Sequence, residues 1–215
     1  MAIFHFSLFI NRKISFYKLF GCGKNGTFDI KPDLNQWAFL AVHKGNPTDY
    51  NNGNLYGVFI SAWIKLFARE SLTILLNPIT GHGKWDGREP FGNEFGKQEY
   101  NGVIATLTRA SVKISKQKYF WKHVAPVAAQ MHEAKGFLFS AGIGEVPFLK
   151  LGTFSVWQSV DDMKAFAYGM KEHSEVVRKT RQEKWYSEDL FVRFRVLDSF
   201  GTYRGMNPLK TEQTK

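Results

Sequence analysis

Hydrophobic and polar positions along the chain follow two periods, two in some stretches and three to four in others, and that alternation predicts the elements. Ile3 to Ile10 alternates in part and reads as a strand; Asn11 to Phe20 reads as a short helix. The stretch GCGKNGTFDIKPD reads as a loop, and Gln36 to Val42 as an apolar strand. Phe59, Trp63, Leu66 and Phe67 sit at i, i+4, i+7 and i+8, so Tyr56 to Ala68 reads as a helix with one apolar face. Ser71 to Leu76 is a β-rich strand. Gly81 to Gly102, rich in glycine and charge, reads as a long connection.

Beyond it, Val103 to Arg109 predicts a strand, Lys116 to Ala134 a helix that starts, breaks or kinks at Pro126, and Phe137 to Ile143 a strand. GIGEVP reads as a turn and Leu151 to Trp157 as a strand. Ser159 and Asp162 form a capping-box-like helix start, followed by the stripe Met163, Phe166, Ala167 and Met170. A second helix runs from about Glu172 to Trp185, and Asp189 to Leu197 is the last strand. Strands interleaved with helices in both halves predict an α+β protein. Its two fused ferredoxin-like halves would form a dimeric-type α/β barrel, the alternative being a single open sheet. The expected boundaries are 1–80 for the first half, 81–102 for the connection, 103–200 for the second half with the candidate site, and 201–215 for a tail.

At 215 residues the chain can bury about 70% of its unfolded surface without staples. The aromatic share of 16%, with 20 Phe, suggests large apolar interior surfaces or an apolar ligand cavity. A single cysteine, Cys22, excludes an internal disulfide and a cysteine metal cage, and fits a reducing, cytoplasmic location. The N-terminal stretch lacks the basic region of a signal peptide. No apolar run approaches the length of a transmembrane span, so peripheral contact is the membrane association left open. The net charge of +10 raises nucleic acid as a partner, but the cations are dispersed and no nucleic-acid-binding motif accompanies them. An anionic cofactor, an anionic membrane surface or solubility accounts for the charge as well.

No nucleophile elbow, P-loop, dinucleotide fingerprint or HExxH motif is present. None of the six histidines pairs with another at i, i+4, which argues against a multi-histidine metal site. His173 aligns with Val176, Val177 and Thr180 on the inward side of its predicted helix. Two readings stay open there: an axial ligand to haem iron, or a core histidine with both nitrogens satisfied. Arg193 and Arg195 share one strand face with Phe191 and Leu197, while Leu190, Val192, Phe194 and Val196 form the core face. Those arginines and Arg109 suit either the carboxylates of an anionic ligand or cross-strand ion pairs.

Several segments together resemble the spheroidene monooxygenase family: VIATLTRASVK, GKWDGREPF, GIGEVPFLKLGTFSVW, DDMKAFAYGMKEHSEVVRKTRQEKWYSEDLFVRF, the terminal GTYRG, and FGCGKNGTFDIKPDLNQWAFLAV near the start. The resemblance spans about Phe20 to Pro208. It implies an α+β barrel and a haem-dependent monooxygenase that oxygenates a small apolar, carotenoid-like substrate, with an electron donor that the sequence does not identify. It also implies His173 as the metal ligand, with Arg109, Arg178, Arg181, Trp185 and Arg193 as cofactor-binding candidates. A homo-oligomer fits the barrel type. Two rivals stay open: a cofactor-free oxygenase or isomerase using His173 and the arginines as acid, base and anion holders, and a non-catalytic ligand-binding barrel.

Overall fold

The computed structural model describes residues 2–26, 31–45, 55–92, 95, 100–169, 178–180 and 182–210, with backbone alone at 25 and 123–129. In chain order the elements are α1 (Phe4–Ile10), β1 (Ile14–Gly23), β2 (Pro32–His43), α2 (Val58–Phe67), β3 (Leu72–Gly83), β4 (Ile104–Val112), α3 (Gln117–Met131), β5 (Phe137–Val146), β6 (Lys150–Trp157), α4 (Val160–Gly169) and β7 (Tyr186–Gly201). The fold is mixed α+β around a seven-stranded sheet of order β2-β1-β5-β6-β4-β7-β3. No described helix is long and apolar enough to cross a membrane.

The beginning of the chain inverts the expected order of strand and helix. Ile3 to Ile10 is helical, because Phe4 and Leu8, one turn apart, are the residues that find burial. The Phe4 ring meets Phe39, Phe59 and Trp63 edge to face. The stretch expected as helix is β1, whose buried residues Ile14, Phe16, Phe20 and Cys22 are all at even positions. Three further boundaries move. Part of the expected loop at 21–33 belongs to β1 and β2, β3 reaches Gly83, and β5 takes in most of the expected GIGEVP turn. α3 runs through Pro126 without a break in its span.

Packing divides the chain into two units, one of residues 1–19, 39–75 and 197–215, the other of 20–38 and 76–196. In the second unit β4 pairs antiparallel with both β6 and β7, Thr106 standing opposite Ser155 on one side and Arg193 on the other. Side chains alternate across a strand, so this register sorts the sheet into two faces. Ala105, Leu107, Arg109, Val156, Leu190, Val192 and Phe194 share one face. Ile104, Thr106, Ala110, Ser155, Trp157, Arg193 and Arg195 share the other.

Helices cover the second face. Met163 and Phe166 of α4 pack on Ile104 and Trp157. Phe120 of α3 packs with Val112, Leu151 and Trp185. The α4 start has the expected cap, the Asp162 N–H donating to Ser159 Oγ at 3.0 Å and that hydroxyl donating to Asp162 Oδ2 at 2.6 Å. Phe166→Ala is expected to cost about 3–5 kcal/mol in urea unfolding, because it removes a buried ring from this layer. Phe9→Ala on the exposed side of α1 is expected to change stability by less than about 0.5 kcal/mol.

Candidate functional site

On the first face the chain after β3 folds back as a tight hairpin, Trp85 to Arg88, whose end residues exchange both backbone hydrogen bonds at 2.8 and 3.1 Å. Asp86 and Gly87 take φ of 50° and 73°, the left-handed pair that a two-residue Asp-Gly turn supplies. Gly83 starts the turn where the backbone presses on β7: a Cβ there would overlap the Asp189 carbonyl oxygen. The sequence reading placed these residues in a long connection, although its Asp-Gly pair was the available turn signal.

The turn closes over a buried cation. Arg109 is 2% exposed, and its guanidinium reaches Glu145 at 3.4 Å, Asp86 at 3.3 Å and Glu188 through Nη1. The Trp85 ring lies 5.6 Å from the guanidinium carbon, and its indole N–H donates to Glu145 at 2.8 Å. Lys150 adds a second cation, 2.7 Å from Asp86. Glu188 also accepts the backbone N–H groups of Asp86 and Gly87 at 2.9 and 2.8 Å. Partial burial by itself raises the Glu188 pKa. The Gly87 and Asp86 N–H groups and the Arg109 guanidinium outweigh it and hold the carboxyl below its ordinary value. Arg109 is therefore engaged by protein carboxylates.

The other unit repeats the device. Tyr203 and Met206 close a second hairpin, with Arg204 and Gly205 at φ of 55° and 81°. Glu70 accepts the Arg204 and Gly205 N–H groups at 2.8 and 3.0 Å, and a Cβ at Gly201 would overlap the Ser71 carbonyl. The two turns share the pattern glycine, any residue, aromatic, charged residue, glycine: GKWDG and GTYRG.

The helix-covered face carries Arg193, Arg195 and Trp185. Arg193 is half-buried beside Tyr168. Burial pulls its guanidinium below the ordinary pKa, and its buried Nε has no hydrogen-bond partner among the described residues. Arg195 is matched: with the Asn77 amide oriented to suit, its oxygen accepts two guanidinium N–H groups at 2.8 and 3.1 Å. Trp185 is 1% exposed in the cluster under α3, its indole N–H donating to Glu183 at 2.9 Å. Arg178 is exposed. His173 and Arg181 lie outside the described residues. Among the described candidates, the sheet thus separates Arg109 from Arg193 and Trp185.

Two other features bound the chemistry. Cys22 is buried, and burial with the nearby Asp33 charge pushes its thiol up to about 12, so it is no thiolate nucleophile at neutral pH. Among the described residues no group of three or more His, Cys, Asp or Glu could hold a metal ion. A cleft of about 80 Å³ lies between Leu190, Val192, Pro90 and Phe91 on the first face, below the roughly 300–1,000 Å³ of small-molecule pockets.

Over 198 residues the chain is 36% identical to a spheroidene monooxygenase of Cereibacter sphaeroides, covering 92% of this chain and 60% of that protein. It is 32% identical to the Rhodobacter capsulatus spheroidene monooxygenase over 201 residues, 93% of this chain and 83% of that one. The Rubrivivax gelatinosus spheroidene monooxygenase is 31% identical over 195 residues, 88% and 72% of the two chains. The chain belongs to the spheroidene monooxygenase family. No family model matches it. It spans about 60% of the length of the Cereibacter relative. Among solved structures, a Fusobacterium nucleatum protein assigned as a monooxygenase aligns with TM-score 0.44 and 13% identity, over 85% of this chain and 76% of that one. SnoaB, a cofactor-independent oxygenase of Streptomyces nogalater, aligns with TM-score 0.33 and 16% identity, over 50% and 98%. At those scores neither likeness bears on function.

Within this family member, Arg109 holds structure. Arg109→Met is expected to lower unfolding free energy by about 3–5 kcal/mol, since it strands Glu145 and Glu188. Glu188 ionises more readily folded than unfolded. Its stabilisation is present above its ordinary value of 4.5 and is lost as pH falls below it, through the lower folded value. Glu188→Gln is therefore expected to flatten the acid limb of the stability curve in that window, measured by urea titrations across pH.

Proposed function

We propose that this protein is a monooxygenase that oxygenates an apolar, acyclic polyene of the carotenoid class. The carrying observation is the 31–36% identity to three spheroidene monooxygenases over at least 88% of the chain. The two turns of shared pattern support an architecture of two related ferredoxin-like halves, with the dimeric-type barrel as its closed form.

The reacting face in this reading is the helix-covered one. His173 is the residue that would hold the haem iron, and Arg193 the residue whose side chain fits a bound group. Its buried Nε–H, without an acceptor among the described residues, supports that role, because such a donor calls for an acceptor. Arg109 does not fit, having three carboxylates on its guanidinium. Arg178, Arg181 and Trp185 follow His173 in sequence and are the further candidates. Bound haem would supply the redox chemistry that activates dioxygen. The chain's own residues would have other tasks: Arg193 would donate a hydrogen bond to the bound group, and the buried aromatic clusters of Trp157 with Phe166 and of Phe120 would exclude water.

A monooxygenase places one oxygen atom in substrate and reduces the other to water, so two electrons must come from an external donor. The test supplies purified protein with haemin, a chemical reductant, spheroidene in detergent and isotopically heavy dioxygen. The expected product carries oxygen derived from dioxygen, measured by mass spectrometry. Recovery of unlabelled or unchanged polyene from protein that has taken up haemin contradicts the reading.

A further inference from the structure

Exposed apolar surface is concentrated on two short helices. Phe6, Phe9 and Ile10 on α1 are exposed, as are Val58, Phe59, Leu66 and Phe67 on α2. Phe9 is 79% and Leu66 75% open to solvent. At about 100° per residue, Phe6, Phe9 and Ile10 fall opposite the buried pair Phe4 and Leu8. Val58, Phe59 and Leu66 spread over the side of α2 away from the buried Ile60. The two helices are neighbours, since the Phe4 ring meets Phe59 at 6.4 Å and Trp63 at 5.2 Å. Each helix thus presents exposed apolar side chains of a kind that marks an interaction site.

Among the described residues, the charges on the two helices and directly beside them are positive up to Glu70. Neither helix contains an acidic residue. Arg12 and Lys13 follow α1, Lys65 stands on α2 and Arg69 follows it, all exposed. The carboxylate that comes next, Glu70, already accepts the Arg204 and Gly205 N–H groups. A second copy of this chain docking through the same helices would set these cations against their own images with no acid on either helix to separate them. An anionic lipid surface meets both properties at once.

We propose that α1 and α2 dock on an anionic membrane, with Phe6, Phe9, Val58 and Leu66 entering the boundary between headgroups and acyl chains. Arg12, Lys13, Lys65 and Arg69 meet the lipid phosphates. The proposal rests on the reading of an apolar polyene substrate and deepens it, because a bilayer is the phase that holds such a molecule.

Flotation of the whole chain with vesicles tests it. The protein is expected to float with mixed phosphatidylcholine and phosphatidylglycerol vesicles, to float much less with phosphatidylcholine alone, and to be released by salt. Phe9→Asp with Leu66→Asp is expected to lower binding at least ten-fold at an unchanged melting temperature. Lys65→Gln and Arg69→Gln are each expected to lower it about five-fold. Turnover of detergent-solubilised polyene is expected to survive the Phe9/Leu66 change. Wild-type protein that floats but turns nothing over removes the functional reading and leaves the docking surface standing. The docking proposal is overturned by any of three results: wild type that ignores both vesicle types, a Phe9/Leu66 variant that floats like wild type, or a wild-type dimer that ignores lipid and is split by the same two substitutions.

Discussion

A buried guanidinium has to be matched, and the arrangement around Arg109 follows from that requirement. An arginine 2% exposed on β4, a strand paired on both sides, would strongly destabilise the fold if left alone. Here β5 contributes Glu145, β7 contributes Glu188, and the Trp85–Arg88 turn contributes Asp86 together with an indole ring. The planar five-donor fork of arginine can address three carboxylates from three directions, which an ammonium group does less well. One charge thereby ties two strands and a turn to the same strand, and Glu188 extends the tie to the turn's backbone through two more hydrogen bonds.

The same economy explains the glycines. Each clipped turn begins at a glycine that lets its backbone lie against a neighbouring carbonyl, Gly83 against Asp189 and Gly201 against Ser71. Each turn then offers two backbone N–H groups to one glutamate. In one case the charged turn residue is Asp86, which enters the Arg109 network; in the other it is Arg204, which lies over the Tyr203 ring at 5.3 Å. A shared backbone device thus carries different side-chain chemistry at its two occurrences.

Strands β4 to β7, helix α2 and the capped start of α4 were legible in the sequence, because burial on one face imposes a period that survives in the residues themselves. Leu190, Val192 and Phe194 are buried as their alternation predicts. The first twenty residues were not legible. FHFSLFI supports either period, and only the packing of Phe4 against distant Phe39, Phe59 and Trp63 decides for helix. The place of Arg109 was hidden for the same reason: Glu145 and Glu188 lie 36 and 79 residues away, and no local pattern announces an ion pair of that span. Pairing register, also invisible locally, separates Arg109 from Arg193, which the sequence reading had grouped as candidates for one cofactor.

The sheet thus has a structural face and, in the proposed function, a reacting face. Absorption spectra of haemin-titrated wild type, His173→Ala, Arg193→Gln and Arg109→Gln, each with its melting temperature, test that division directly. The account predicts a Soret band in wild type that His173→Ala abolishes and Arg193→Gln shifts, both at near-native melting temperature. It predicts that Arg109→Gln melts early yet keeps the wild-type band position while folded. A wild type that binds no haemin, or a band that responds to Arg109 and ignores Arg193, contradicts it.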